Sequence, residues 1–153
     1  MSNDTAARAL AYLAGHNVMT LATHGPEGLW AAAVFYASEG FQLIFLSAGH
    51  TRHARNIAAS PRVAATIQED YADWAAIQGI QLEGEVRLLA GPERAAAVAR
   101  YAERFQFLKQ PVAAIEKALA GVNWYRLTPE KMYFVDNSRG FGQRVEVDLS
   151  NSL

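Results

Sequence analysis

Cysteine is absent from all 153 residues. This excludes a disulfide scaffold, a thiolate-bound metal and a cysteine nucleophile together. A surplus of charge is missing too: 14 basic side chains face 15 acidic ones, for a formal net charge of −1. With no basic run, the chain carries no electrostatic footprint for nucleic acid. Its apolar windows fall far short of the roughly 20 residues that a helical membrane span needs. Residues 1–15 place an acid before the first Arg and lack a basic leader, so no secretory signal is expected. What is present is a chain that is 51% apolar and 19% charged, a composition that collapses into a core. The expectation is one cytoplasmic domain over 1–153, with no nucleic-acid or membrane partner.

The order of segments sets a fold class. A helix is expected over 4–14, with Asn3 or Asp4 as its cap, Leu10 and Leu13 as a short apolar stripe and Gly15 at its end. Strands follow over 17–23, 29–37 and 41–47. The turns His24-Gly25-Pro26-Glu27-Gly28 and Ser38-Glu39-Gly40 join them into an antiparallel meander. Thr51 caps a helix that Pro61 stops, and a strand over 62–68 comes next. Over 79–89 the alternation is the cleanest in the chain, with Ile80, Leu82, Gly84, Val86 and Leu88 on one face. Gly91-Pro92 opens a helix in which Ala95, Val98, Ala99, Ala102 and Phe105 recur at helical spacing. Pro111 opens another through Ile115 and Leu119. Strand character returns over 124–127, 131–136 and 144–149, the last inside a C-terminal extension over 137–153. Six or so antiparallel strands interrupted by short helices make a mainly β fold with peripheral helices, a small barrel closed on itself. The strand over 29–37 is apolar on both faces, with Trp30, Ala32, Val34 and Tyr36 on one and Ala31, Ala33 and Phe35 on the other. A barrel buries only one of these, so the other calls for a second cover: a partner subunit, a bound ring system, or both.

The segment from Phe45 to Ile57, FLSAGHTRHARNI, carries the most chemistry. A hydroxyl (Ser47) ends a strand, a loop containing Gly49 follows, and Thr51, Arg52 and His53 open a helix. The free backbone amides and partial positive charge of that helix end suit a phosphate dianion. Arg52 can add a two-pronged fork, and His53 or Arg55 a further donor. The same pattern is also that of an ordinary capped surface helix with solvated basic residues.

Larger stretches in a fixed order bear on that choice: Gly28-x-x-Ala-Ala-Ala-Val-Phe-Tyr, Leu-Ile-Phe-Leu-Ser, Thr-Arg-His-Ala-Arg-Asn-Ile, Ser-Pro-Arg-Val-Ala, Gly-Ile-Gln-Leu-Glu-Gly-x-Val and a late Arg-Leu-Thr-Pro. The chain so read resembles the FMN-binding split-barrel family, often called pyridoxamine 5′-phosphate oxidase-like, over roughly residues 15–136. The resemblance implies a six-stranded antiparallel split β-barrel, paired as a homodimer with FMN sites in clefts between the subunits. It implies that Ser47, Thr51, Arg52 and His53 hold the FMN phosphate. Ala32, Ala33, Val34 and Phe35 would lay their backbone along the flavin ring, where short side chains allow close approach. A polar side chain would reach the flavin from the partner subunit, Gln81 first and Gln78 as the alternative. The family's true oxidases carry Arg and Lys where this chain has Ala32 and Ala37, and an Arg-x-His where it reads Arg126-Leu127-Thr128. The cations for a substrate phosphate are therefore missing, and pyridoxamine phosphate oxidation is not expected.

The function so implied is an FMN-dependent oxidoreductase acting on a small-molecule redox substrate, with the protein supplying binding and electrostatics. The rivals are a flavin-binding or stress-related module without turnover, and a haem-handling member of the same barrel class. The four histidines form no i, i+4 metal pair, although His50 and His53 sit three apart. Glu69, Asp70 and Asp73 read as a solvated loop, Trp74 as that loop's anchor, and Trp124 and Tyr125 as core aromatics. The stretch from Asp136 to Arg144 reads as a turn into a terminal strand. Its other reading is a lid, with Phe141 over a ring and Arg139 or Arg144 meeting an anion.

Overall fold

A computed structural model describes residues 2–109, 117 and 119–151. The helix expected from Pro111 through Ile115 to Leu119 lies largely outside the described residues. Helix α1 (Ser2–Gly15) leads into strands β1 (Val18–Gly25), β2 (Gly28–Phe35), β3 (Ala37–Glu39) and β4 (Gln42–Ala48). Helix α2 (Arg52–Ala59) separates these from β5 (Arg62–Gln68) and β6 (Gln78–Leu88). Helix α3 (Gly91–Arg104) precedes β7 (Val122–Asp136) and β8 (Arg144–Glu146). All pair antiparallel in the order β2-β1-β5-β6-β7-β4-β3, with β8 added to β7, and the sheet curls into a split barrel. No helix among the described residues is long and apolar enough to cross a membrane.

The described residues form eight strands where the resemblance implies six, for two local reasons. The strand expected over 29–37 breaks at Tyr36, which is fully buried: its hydroxyl donates to the Leu13 carbonyl at 2.7 Å and its amide to Asn17 at 2.9 Å. That corner turns β2 into the short β3, and β8 adds the other strand. Conversely, the two strands expected over 124–127 and 131–136 are one continuous β7. Pro129 sits where the register against β6 shifts between Glu83 and Gly84, so its missing N–H falls at a bulge. Only glycine fits opposite: a Cβ on Gly84 would run into the Thr128 carbonyl and come within 2.9 Å of the Pro129 Cα.

Two cores result. Inside the barrel, Met19, Leu21, Phe45, Ile67, Leu82 and Leu127 pack with Leu13 from α1. Outside, Ile44 and Trp124 pack against Ala97 and Tyr101 of α3 and against Phe105, its C-cap. The buried face of α3 is therefore the i, i+4, i+8 row from Ala97, with Ala95 and Ala99 exposed, one step round the helix from the expected stripe. The β6 alternation holds to Val86 and then slips, leaving Leu88 58% exposed and Leu89 buried. β4 has its second cover within the chain, in α3. β2 does not: Leu29 is 83% and Phe35 50% exposed, on an edge strand paired only with β1.

Candidate functional site

The turn of chain between β4 and α2 brings three polar side chains to one point. Ser47 ends β4 on the barrel-facing side, following Leu43 and Phe45, and is only 8% exposed. Thr51 is the N-cap of α2: its Oγ1 accepts from the Ala54 amide at 3.3 Å while its hydroxyl donates to the Ala48 carbonyl at 2.9 Å. Ser47 Oγ lies 3.2 Å from Thr51 Oγ1 and 2.5 Å from His53 Nε2. Burial pushes the His53 imidazole below its ordinary value, which favours the neutral ring. Helix geometry leaves the amides of Arg52 and His53 without intrahelical acceptors, pointing out of the same helix end.

Arg52 ties this helix end to the β1–β2 turn. Its Nη2 donates to the carbonyls of Glu27 at 2.8 Å and Leu29 at 3.3 Å, and its guanidinium stacks on Trp30 with 4.4 Å to the ring centroid. Its Nε is buried and has no partner among the described residues. One turn on, Asn56 is fully buried and donates to Thr23 Oγ1 at 3.1 Å and the Gly28 carbonyl at 3.4 Å. Arg55 donates to Glu27 Oε2 from two nitrogens, at 2.7 and 3.1 Å, which holds that carboxyl below the usual carboxylate range. Sequence reasoning missed Glu27, Gly28, Trp30 and Asn56. The readable signal was glycine at both 25 and 28. A Cβ on Gly25 would press on the Asn56 amide, and Gly28 has φ +100°.

β2 starts at this turn, so Ala32, Ala33, Val34 and Phe35 lie along the strand that Arg52 anchors. Ala32 and Val34 face the barrel and are half-buried, whereas Ala33 and Phe35 face outward and are exposed. Gln81 stands elsewhere. The register Ala33–Thr20–Thr66–Gln81 puts it three strands away, about 14 Å, on the outer face, where it accepts from Arg144 Nη1 at 3.4 Å. Gln78 is farther along β6, opposite Asp136. One chain thus gathers Ser47, Thr51, Arg52 and His53 beside the beginning of β2 and keeps Gln81 apart from them. On the other flank of α2 a cavity of about 580 Å³ opens among Ala54, Ile57, Ala58, Val86, Leu88 and Tyr125, which is what Leu88 faces.

The other singled-out groups have structural partners. Arg126 is bound by Gln42 at 2.6 Å and Glu39 at 3.1 Å. His16 pairs with Glu69, and Asp73 caps the turn at Ala75. Trp124 is buried edge-on to Tyr101, and Tyr125 stacks on Phe45. Trp74 is exposed, its ring 5.6 Å from Phe141, itself 84% exposed on a loop that Asn137 fastens to the Trp74 carbonyl. This aromatic pair stands at the Gln68/Gln78/Asp136 end of the sheet, and the Ser47 cluster at the other. Three hydrogen-bonding side chains, two free amides and a guanidinium with an unpartnered Nε are the equipment of an anion cradle.

Residues 5–136 match the sequence family described as pyridoxamine 5′-phosphate oxidase. A UPF0306 protein of Klebsiella pneumoniae is 33% identical over 144 residues, which span 93% of this chain and 92% of that one. A heme binding protein from Mycobacterium smegmatis superposes with a TM-score of 0.74 at 26% identity, covering 95% of this chain and 57% of that one. A FAD-binding protein from Mesorhizobium loti shares the fold, with a TM-score of 0.66 at 15% identity over 82% of this chain and 90% of that one. The match runs from α1 to the last residue of β7, and the chain belongs to the pyridoxamine 5′-phosphate oxidase family.

Proposed function

We propose that the protein binds FMN and serves as a flavin-dependent oxidoreductase for a small-molecule redox substrate, as a homodimer. The observation that carries the reading is the cradle: Ser47, Thr51 and His53 converge within 3.4 Å of one another at a helix start, beside an Arg52 whose buried Nε lacks a partner. An orphaned cationic N–H at a helix N-terminus fits a phosphate monoester, which would satisfy it. The uncovered β2, with small Ala31, Ala32 and Ala33 at its centre, offers a flat ring close approach to backbone. Bound FMN supplies the hydride chemistry; the chain's own residues bind, orient and exclude water. Gln81 enters this reading only from a second copy, because its own sheet holds it away from its own cradle. The committed partners of Arg126, with Ala at 32 and 37, support a substrate other than pyridoxamine phosphate.

Likeness to the heme binding protein of Mycobacterium smegmatis favours a second reading, haem handling on the same barrel. The visible spectrum of the purified protein separates them. Flavin bands, restored to a stripped sample by added FMN, support the first. A Soret band that survives gel filtration and ignores FMN supports the second.

A further inference from the structure

We propose that His53 takes up a proton as an anion enters the Ser47–Thr51–His53 cluster, so that phosphate binding here is coupled to proton binding. The coupling rests on reading this cluster as a phosphate cradle, and it follows from its donors and its charge taken together. The Thr51 hydroxyl is committed to the Ala48 carbonyl at 2.9 Å, and its oxygen already accepts the Ala54 amide. That leaves the Ser47 hydroxyl, and His53 Nε2 sits 2.5 Å from it. While Nε2 is unprotonated, the Ser47 proton points at the imidazole, and the cluster shows lone pairs to an incoming anion. Once Nε2 carries a proton it donates to Ser47 Oγ, and the Ser47 hydroxyl turns to a phosphoryl oxygen. A neutral ring whose proton moves from Nδ1 to Nε2 makes the same donor switch, but only proton uptake adds the positive charge that a phosphate dianion draws on.

The surrounding charges leave this task to His53. On its own helix, Arg52 has Nη2 committed to the Glu27 and Leu29 carbonyls, and Arg55 is neutralised by Glu27 of the β1–β2 turn. His50, in the loop before α2, is exposed. β4 presents Ser47 and no charged group, and β7 presents Asn123 and Tyr125, which bond to each other at 3.3 Å. No carboxylate among the described residues pairs with His53. Burial is what disfavours its charge in the free protein, and a phosphate at hydrogen-bond distance reverses the balance.

The test is a titration of the imidazole resonances of the full-length protein by NMR. It has only four histidines, and His53→Gln assigns the signal. Titrations are run without ligand, with inorganic phosphate and with FMN. The free His53 titrates below the ordinary 6.5. Either saturating anion is expected to raise it by about one pH unit or more. Over that interval FMN affinity falls about tenfold per pH unit as pH rises. Below about pH 6 the phosphate takes a proton of its own, which flattens the profile. His53→Lys, with a fixed charge, is expected to bind FMN with no slope over pH 6–8. If FMN binds while the His53 signal does not shift, the proton coupling is wrong and the flavin reading stands. If inorganic phosphate raises the His53 value but FMN does not bind, the coupling stands and the flavin reading fails. A signal that neither anion moves overturns the coupling outright.

Discussion

Single side chains decide how much of the cradle is ligand site and how much is scaffold. Arg52 is the case to test, since Nη2 holds the β1–β2 turn and the buried Nε has no partner among the described residues. Arg52→Ala is expected to weaken FMN binding by roughly 1.5–3 kcal/mol, the range for a charge-assisted hydrogen bond, as read by fluorescence titration. Unchanged affinity would remove Arg52 from the site. Legibility at this scale was partial. Ser47, Thr51 and His53 are close in sequence, so the short turn from β4 into α2 brings them together. The hold of Arg52 on Glu27 and Leu29 spans more than 20 positions and leaves no local pattern. Asp136 is a second long-range case: desolvation pushes its carboxyl up, but bonds from Ser138 and Arg8 outweigh it and hold it below the carboxylate norm. A depressed folded value stabilises the protein above the unfolded value, near 4, and that contribution is lost as pH falls through the depressed one. Melting temperatures of the wild type should therefore drop faster below pH 4 than those of Asp136→Asn. Parallel curves would show that the pair contributes nothing to the pH dependence.

At the scale of elements, hydrophobic period was read correctly where one face meets the barrel and the other meets water, as in most of β6. It failed where backbone geometry intervenes. The two strands expected over 124–127 and 131–136 leave a gap around Pro129, yet a bulge absorbs the proline's missing ladder bond and β7 runs on for 15 residues. Gly84 makes that possible. Gly84→Ala would push a methyl group against the Thr128–Pro129 backbone and should cost about 1–3 kcal/mol, seen as a lower denaturation midpoint. If the midpoint is unchanged, the bulge relaxes freely and β7 is not strained by it. The α3 face also escaped sequence reading, because an alanine-rich helix offers several stripes of similar polarity. Only Trp124 and Ile44 across the contact select the one through Tyr101.

The whole molecule leaves one surface unaccounted for within a single chain. Leu29, Ala31, Ala33 and Phe35 of β2 continue across the outer face into Ala22 and Thr20 of β1 and Ala64 and Thr66 of β5, with no charge among them. Burying Leu29 would contribute roughly 1.5–3 kcal/mol and the half-exposed Phe35 about half as much, so a second copy seated there stabilises both. The prediction is a particle of twice 16.7 kDa by light scattering at micromolar concentration. Ala22→Arg puts a guanidinium within that face, on an exposed side chain of β1 that lies outside the cradle and contributes nothing to the barrel core. It should yield a folded monomer. If the site is shared, the same substitution also abolishes FMN binding, because Gln81 then has no neighbouring cradle to reach. A monomer that still binds FMN at wild-type affinity would mean that each chain completes its pocket alone. The apolar face would then be an interface without a catalytic consequence.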